Sequence, residues 1–284
     1  MSSIDSVFTS LRRDGRKALI PFLTGGFPSP QLCLDLSLDL ARRGADILEI
    51  GVPFSDPIAD GPTIQAASQS ALAAGMNLER ILRLVEGIKD QCQIPVVIMS
   101  YYNPLLRWGV RDFATAAKVA GVDGLIVPDL PPEEAGEMLE ASDRFDLDPI
   151  FLLAPNSAGK RIRLISRISK GYIYYTSVTG VTGVRRELPS DLKSALLRIR
   201  RFTKKPVAVG FGISTPSQAS RVSELADGVI IGSALIAQIQ KNLGRADLVA
   251  KVGAFFDRFR GLHFLRPNES VSDGRREDRP NDLA

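Results

Sequence analysis

Three neighbouring carboxylates mark the part of this sequence best suited to acid–base chemistry. Glu49 stands in an apolar run, Asp46–Val52, that is typical of a buried strand, and Asp56 and Asp60 follow in a loop rich in proline and glycine. Desolvating a carboxylate costs several kcal/mol, so a buried strand rarely carries one without a partner or a task. Barrel enzymes place their acid–base groups where a strand meets the next loop. The segment therefore predicts a reaction centre.

Each of these acids also has a structural interpretation. Glu49 alone is compatible with a structural acid beside an arginine or a backbone donor. Asp is favoured in turns because its side chain hydrogen-bonds the local backbone. Residue type and spacing do not separate Asp60 from Asp56 as the catalytic acid. It is the combination of a strand acid with an acidic loop that favours chemistry.

Short apolar runs alternate with amphipathic segments such as Ser29–Arg43 and Pro132–Arg144. Apolar strands alternating with helices are typical of a parallel sheet covered on both faces. Eight such units in roughly 250 residues match a closed (β/α)8 barrel. An open doubly wound sheet usually shows a G-x-G-x-x-G turn after its first strand, and the sequence lacks one there. The predicted strands are Ala18–Leu23, Asp46–Val52, Val96–Ser100, Gly124–Val127, Pro149–Leu153, Tyr172–Thr176, Pro206–Gly210 and Gly228–Ile231.

The fold class predicted is α/β, with one TIM barrel over residues 1–265. A short amphipathic helix at Met1–Arg13 opens it. Residues 266–284 are polar, charged and nearly free of large apolar side chains, a composition typical of a disordered tail.

Glycines follow the last two predicted strands, in Gly210-Phe211-Gly212 and in Gly232-Ser233. Backbone N–H groups approach an anion closely at glycine, and a helix beginning at Ser233 would direct its positive end toward it. These loops are the usual phosphate site of barrel enzymes. The alternative is a tight strand-to-helix turn, which a lone Gly-x-Gly favours, but two such loops at these strands favour phosphate binding.

Composition excludes several other classes. The chain has 284 residues with a net charge of +4 and no interleaved basic and aromatic patches, which argues against nucleic-acid binding. No apolar run approaches the ~18 residues of a membrane span. The N-terminus lacks the features of a signal peptide. Two distant cysteines predict reduced thiols in a cytoplasmic protein. One histidine and no Cys/His cluster predict no metal site.

Taken together, these segments closely resemble the α subunit of tryptophan synthase. The similarity runs in order from about Phe22 to Ile236, nearly the whole barrel, and its first and third segments are long and specific. It rests on Leu48–Gln65 (LEIGVPFSDPIADGPTIQ), Ser100–Pro104 (SYYNP), Gly121–Glu134 (GVDGLIVPDLPPEE), Tyr172–Gly183 (YIYYTSVTGVTG), Pro206–Pro216 (PVAVGFGISTP) and Ala226–Ile236 (ADGVIIGSALI).

The resemblance implies a lyase that cleaves indole-3-glycerol phosphate to indole and glyceraldehyde 3-phosphate in tryptophan biosynthesis. It implies no cofactor in this chain, and a β-subunit partner that holds pyridoxal phosphate in an α2β2-type hetero-oligomer. By match to the family's motifs, the catalytic acids are Glu49 and Asp60. Residues matched to the substrate site are Phe22, Tyr101, Leu125, Asp129, Tyr174 and Thr182, and those matched to the phosphate site are Gly183, Gly212, Gly232 and Ser233.

Two other functions stay open at this point. One is a different phosphate-binding barrel enzyme, such as an isomerase or an indole-glycerol phosphate synthase, the latter expected to need a catalytic lysine at a strand end. The other is a non-catalytic protein that binds phosphate ligands and regulates a β subunit. Retention of both carboxylates speaks against the latter, because a binding module would gain from losing a buried acid.

Overall fold

A computed structural model describes residues 1–176, 188–210 and 212–260. The described chain contains nine strands, β1 to β9: Ala18–Thr24, Leu48–Gly51, Val96–Met99, Gly124–Ile126, Asp148–Ile150, Leu152–Leu153, Ile173–Thr176, Val207–Gly210 and Gly228–Ile231. Its twelve helices, α1 to α12, are Ser3–Arg13, Pro30–Arg42, Pro62–Ala73, Leu78–Lys89, Tyr102–Trp108, Val110–Val119, Gly136–Arg144, Gly159–Ile168, Leu192–Arg200, Pro216–Ser223, Ser233–Lys241 and Leu248–Asp257.

The strands form one parallel sheet in the order β5-β4-β3-β2-β1-β9-β8-β7-β6. Its two ends, β5 and β6, are separated along the chain by Phe151 alone. The predicted strand Pro149–Leu153 therefore occupies one barrel position in two parts, and it closes the ring. The Phe151 carbonyl accepts from the Tyr174 N–H at 3.1 Å, which bridges the interruption. The predicted α/β TIM barrel is confirmed.

Helix boundaries follow local capping signals. Ser29 caps α2 by accepting from the Leu32 N–H, with proline at the first helical position. The predicted helix Pro132–Arg144 begins four residues late, at Gly136, because residues 131–134 form a turn closed by the Glu134 N–H and the Pro131 carbonyl. Proline at 131 and 132 lacks the amide hydrogen for such bonds.

Helix α1 covers one end of the barrel. Ile4, Phe8 and Leu11 pack with the inward-facing strand residues, and the Phe8 ring lies 5.7 Å from that of Tyr172. Ser2 caps the helix and its hydroxyl donates to Asp148 on β5 at 2.5 Å. The predicted N-terminal helix is thus part of the interior packing. The predicted tail, 266–284, lies outside the described residues, and so does the end of the predicted domain beyond residue 260.

Candidate active site

Glu49 lies on β2 with its side chain inside the barrel and no exposed surface. The Tyr172 hydroxyl donates to its Oε1 at 2.5 Å, while Oε2 has no hydrogen-bond partner among the described residues. Burial raises the pKa of Glu49 to about 8, and the Tyr172 hydrogen bond opposes that rise. Glu49 can therefore carry a proton at neutral pH.

Tyr172 connects this acid to the N-terminal helix. Its ring is fully buried against Phe8 of α1, and its own pKa is raised well above the usual value, by burial first and then by the charge of Glu49. A hydroxyl that stays protonated keeps donating. Tyr172 thus holds one Glu49 oxygen in place, while the other has no hydrogen-bond partner among the described residues.

Asp60 lies at the end of the loop between β2 and α3 and is half-buried. Burial raises its pKa to about 6, against a lowering effect from the hydrogen bond with the Tyr101 side chain. Tyr101 in turn accepts the Ala59 N–H at 2.9 Å and stacks on Phe54, with ring centroids 5.2 Å apart. The loop therefore presents Asp60 in a fixed, partly desolvated position. Asp56 is exposed, so tertiary structure separates the two loop acids.

Phe22, Asp60 and Tyr101 line one small cavity at the mouth of the barrel. Strand register pairs Phe22 with Glu49, which puts both side chains on the inner face. The Phe22 ring fills the space beside Gly51, where an added Cβ would lie 2.5 Å from the ring. Aromatic side chains and a loop acid therefore line one pocket, and the buried acid lies on the same inner strand face as Phe22.

Tyr174 lies in the interior of the barrel, and its pKa is affected by both acids. Its pKa is raised well above the usual value by burial and then by the charges of Glu49 and Asp60. A Cβ at Gly210 would overlap the Tyr174 hydroxyl, so glycine makes room for that ring. Tyr174 thus lies between the predicted catalytic acids and the β8 end of the barrel.

Leu125, predicted as a substrate residue, does not face the interior of the barrel. Leu125 pairs with Ile98, which alternates with Val97, the partner of Glu49. Because successive strand residues face opposite sides, Leu125 points away from the interior, and its neighbour Ile126 packs inside. The prediction for Leu125 as a pocket residue is corrected accordingly.

Asp129 is exposed and supports the pocket from outside. Its Oδ1 accepts the Tyr102 N–H at 2.9 Å, which anchors the start of α5 beside Tyr101. Thr182 and Gly183 lie outside the described residues.

The two helix starts after β8 and β9 differ in their capping. At α10, the Thr215 side chain and Gln218 form a capping box, and Gln218 Oε1 also accepts the Ser214 N–H at 2.8 Å. At α11, Gly232 precedes Ser233 and no side chain caps the first turn. The first amides of a helix point outward without an intrahelical acceptor. The start of α11 is therefore the better anion site, and Gly232 also abuts Phe22 of the pocket.

Sequence reasoning missed two residues that contribute to this site. Tyr172 lies in the aromatic run Tyr172–Tyr175. It is two residues from Tyr174, so the rings of Tyr172 and Tyr174 lie on the same strand face. Thr24 ends β1 and lines the same cavity as Asp60. A polar residue at the end of a barrel strand was the signal available for Thr24. The described residues contain no group of His, Cys, Asp or Glu arranged to hold a metal.

A closed parallel barrel whose mouth holds two carboxylates of raised pKa defines an acid–base enzyme of the (β/α)8 class. The sequence model of the family described as "Tryptophan synthase alpha chain" matches residues 8–260. Among named relatives, the alpha chain of Citrifermentans bemidjiense is 49% identical over 90% of this chain and 95% of its own length. That of Geobacter sulfurreducens is 48% identical over 92% and 98%.

Solved structures agree with this assignment. Mycobacterium tuberculosis tryptophan synthase superimposes with a TM-score of 0.87 at 37% identity, covering 93% of this chain and 99% of the other. The alpha subunit from Legionella pneumophila gives 0.85 at 37% identity, covering 92% and 98%. The chain belongs to the tryptophan synthase alpha chain family.

Membership confirms the predicted activity. The chain is a lyase of tryptophan biosynthesis that cleaves indole-3-glycerol phosphate to indole and glyceraldehyde 3-phosphate. In this family pyridoxal phosphate belongs to the beta subunit, and the alpha chain's reaction uses no cofactor. The alternatives of a different barrel enzyme and of a non-catalytic regulator are set aside.

Proposed function

We propose that Glu49 and Asp60 divide the acid–base work of this retro-aldol cleavage. The observation that carries the proposal is the difference between their environments. Glu49 is fully buried with a pKa of about 8, and Asp60 is half-buried with a pKa of about 6. At neutral pH the first is mainly protonated and the second mainly ionised. Two carboxylates with separated pKa values are the usual basis for distinct acid and base roles.

The reaction requires three things of the protein. Indole C3 must gain a proton as its bond to the glycerol carbon breaks, the glycerol hydroxyl must lose a proton as the aldehyde forms, and positive charge on the indole nitrogen needs a counter-charge. Ionised Asp60 accepts the indole N–H. Glu49 gives its proton to C3 and then, as carboxylate, takes the hydroxyl proton, which restores its starting state. Each such role contributes roughly 10²–10⁴ in rate.

The uncapped start of α11 supports a phosphate site there. We infer that Gly232 and Ser233 bind the substrate phosphate through backbone amides, aided by Gly212, whose φ of 80° suits only glycine without strain. Thr182 and Gly183 stay predictions from the family match. Phe22 lies beside Gly232, since a Cβ added at this glycine would be 3.5 Å from the Phe22 side chain, so the inferred phosphate site borders the pocket.

The partner is proposed to be a tryptophan synthase beta subunit, docking beside the barrel mouth. Ile58, in the loop after β2, is 75% exposed, and Leu106, on α5, is 54% exposed. The same two segments border an open groove of about 630 Å³, lined mainly by apolar side chains including Phe54, Pro104 and Trp108. Exposed apolar surface of this kind is typical of an interaction site.

The cytoplasmic location also stays a proposal. Cys33 and Cys92 are free thiols, as reducing compartments favour. Among the described residues, no helix combines the length and apolar character that crossing a membrane requires.

The experiment that tests the catalytic roles measures indole release by wild type, Glu49→Gln and Asp60→Asn, each with and without a cognate beta subunit. We expect wild type to release indole, faster with the partner, and both variants to lose at least a hundredfold. Both should still bind a phosphorylated analogue that lacks the cleavable hydroxyl.

Asp56→Asn is the matched control for Asp60→Asn, since it makes the same exchange in the same loop but in solvent. It should retain the activity of the isolated chain. Equal loss in both aspartate variants would contradict the role of Asp60, and an active Glu49→Gln protein would contradict that of Glu49.

A further inference from the structure

Thr24, at the end of β1, carries a buried hydroxyl that the fold does not use. The residue is 1% exposed, and its Oγ1 has no hydrogen-bond partner among the described residues. Most buried polar side-chain atoms have a partner, so each exception calls for an explanation. Valine would fill the same space without that cost. Because this hydroxyl also lies in the cavity that Asp60 lines, it points to a function rather than to packing.

The position of Thr24 is fixed by its backbone. The Thr24 carbonyl accepts the Phe27 N–H at 3.0 Å, and the residue pairs with Gly51 in the barrel. It lies two residues beyond Phe22 on the same strand face, the face of Glu49. Its β-branched side chain has few rotamers. The hydroxyl is thus held at the mouth of the barrel, in the cavity that Asp60 also lines.

Two other polar side chains of that cavity, Tyr101 and Ser100, are already hydrogen-bonded. The Tyr101 hydroxyl accepts the Ala59 N–H and is hydrogen-bonded to Asp60. The Ser100 hydroxyl donates to the Tyr101 carbonyl at 2.9 Å. A carboxylate offers about four acceptor positions, so Asp60 has capacity for a further donor. The Thr24 hydroxyl lines the same cavity and can supply such a donor.

We propose that Thr24 is a positioning residue for the lyase reaction. With substrate in the pocket, its hydroxyl donates to one carboxylate oxygen of Asp60 and leaves the other for the indole N–H. The proposal rests on the role given to Asp60 above. Because the bond orients Asp60 toward the indole nitrogen, where positive charge develops in the transition state, it is expected to raise kcat rather than to lower KM alone.

The test is indole release by Thr24→Val, which keeps the shape and removes the hydroxyl, and by Thr24→Ser, which keeps the hydroxyl. A hydrogen bond to a charged group predicts a fall in kcat of about 10- to 100-fold for valine, with substantial rescue by serine. The acid limb of kcat should move to higher pH, because the carboxylate loses a donor. The acid limb of kcat/KM, which reports the free enzyme, should stay in place.

Ser142→Ala is the matched control, because Ser142 of α7 is also fully buried and its hydroxyl has no partner within the described part of the chain, but it lies away from the pocket. Both exchanges should leave the melting temperature unchanged or higher, and only Thr24→Val should lower kcat. If Thr24→Val does not fold, kcat is measured for Thr24→Ala, which also removes the hydroxyl.

Three results would overturn the proposal. Thr24→Val could have the kcat of wild type, or it could have a raised KM while the pH profile of kcat does not move. The third is that Thr24→Val lowers kcat by the same factor in an Asp60→Asn background. In that background the effect of Thr24→Val should vanish, since the acceptor charge is gone. If Asp60→Asn itself is fully active, the role of Asp60 fails instead, so the two failures are distinguishable.

Discussion

Replacing Glu49 by glutamine is expected to stabilise the fold while removing the activity, and the gain in stability should grow with pH. Burial raises the pKa of Glu49 from 4.5 to about 8. Between these values the folded protein holds a proton that the unfolded chain has released. Stability falls with rising pH wherever the folded state binds more protons. The wild type is therefore penalised progressively from pH 4.5 to pH 8, and the glutamine variant is not.

The size of the effect follows from that interval. Each pH unit corresponds to 1.36 kcal/mol, so the difference in the free energy of unfolding should be about 3 kcal/mol at pH 7 and about 5 kcal/mol at pH 9. Near pH 4.5 it should be small. Glutamine can still accept from the Tyr172 hydroxyl as Glu49 does at 2.5 Å, so the packing around it is preserved.

Urea unfolding at pH 5, 7 and 9 measures this difference directly. Glu86→Gln is the matched control, because it makes the same exchange on the exposed side of α4. A difference for Glu49→Gln that is flat across this range, or that is largest at pH 5, would refute the reasoning that burial keeps Glu49 protonated.

Three further predictions concern the same pocket. The pH profile of kcat/KM should be bell-shaped, falling below about pH 6 as Asp60 is protonated and above about pH 8 as Glu49 ionises; a profile flat between pH 5 and 9 would contradict both assignments. Tyr172→Phe removes the hydrogen bond that lowers the pKa of Glu49, so the alkaline limb should move to higher pH, and movement to lower pH would count against it. Gly210→Ala places a methyl group against the Tyr174 hydroxyl and should cost about 1–3 kcal/mol of stability, seen as a lower melting temperature; an unchanged melting temperature would show that the ring can yield.

Much of the fold could be predicted because its signals are local. Eight apolar runs separated by amphipathic segments are visible without any knowledge of contacts. The alternation of these runs and segments, and their spacing along the chain, predict a parallel barrel. The start of α11 at Ser233 was predictable for the same reason, from a glycine beside a helix-forming run. Glu49 could be identified because an acid inside an apolar run is visible in the sequence alone.

Strand faces were harder to read, as Leu125 demonstrates. Three residues of β4 are all buried, so burial pattern alone carries no alternation by which to choose a face. Only the pairing of Leu125 with Ile98, and of Gly124 with Val97, assigns Leu125 to the helix-covered side. The start of α7 was mispredicted because the Pro131 turn competes with helix formation.

The chemistry of the site depends on groups that are distant in sequence. Asp56 and Asp60 are the same residue type in one loop, and they differ because Asp60 folds against Tyr101 while Asp56 stays in solvent. Glu49 owes its pKa to complete burial and its orientation to Tyr172, 123 residues away. The order of residues along the chain specifies which acids are present. Desolvation and hydrogen bonding, which need the closed barrel, assign each acid its protonation state, because both are properties of the surroundings rather than of the residue.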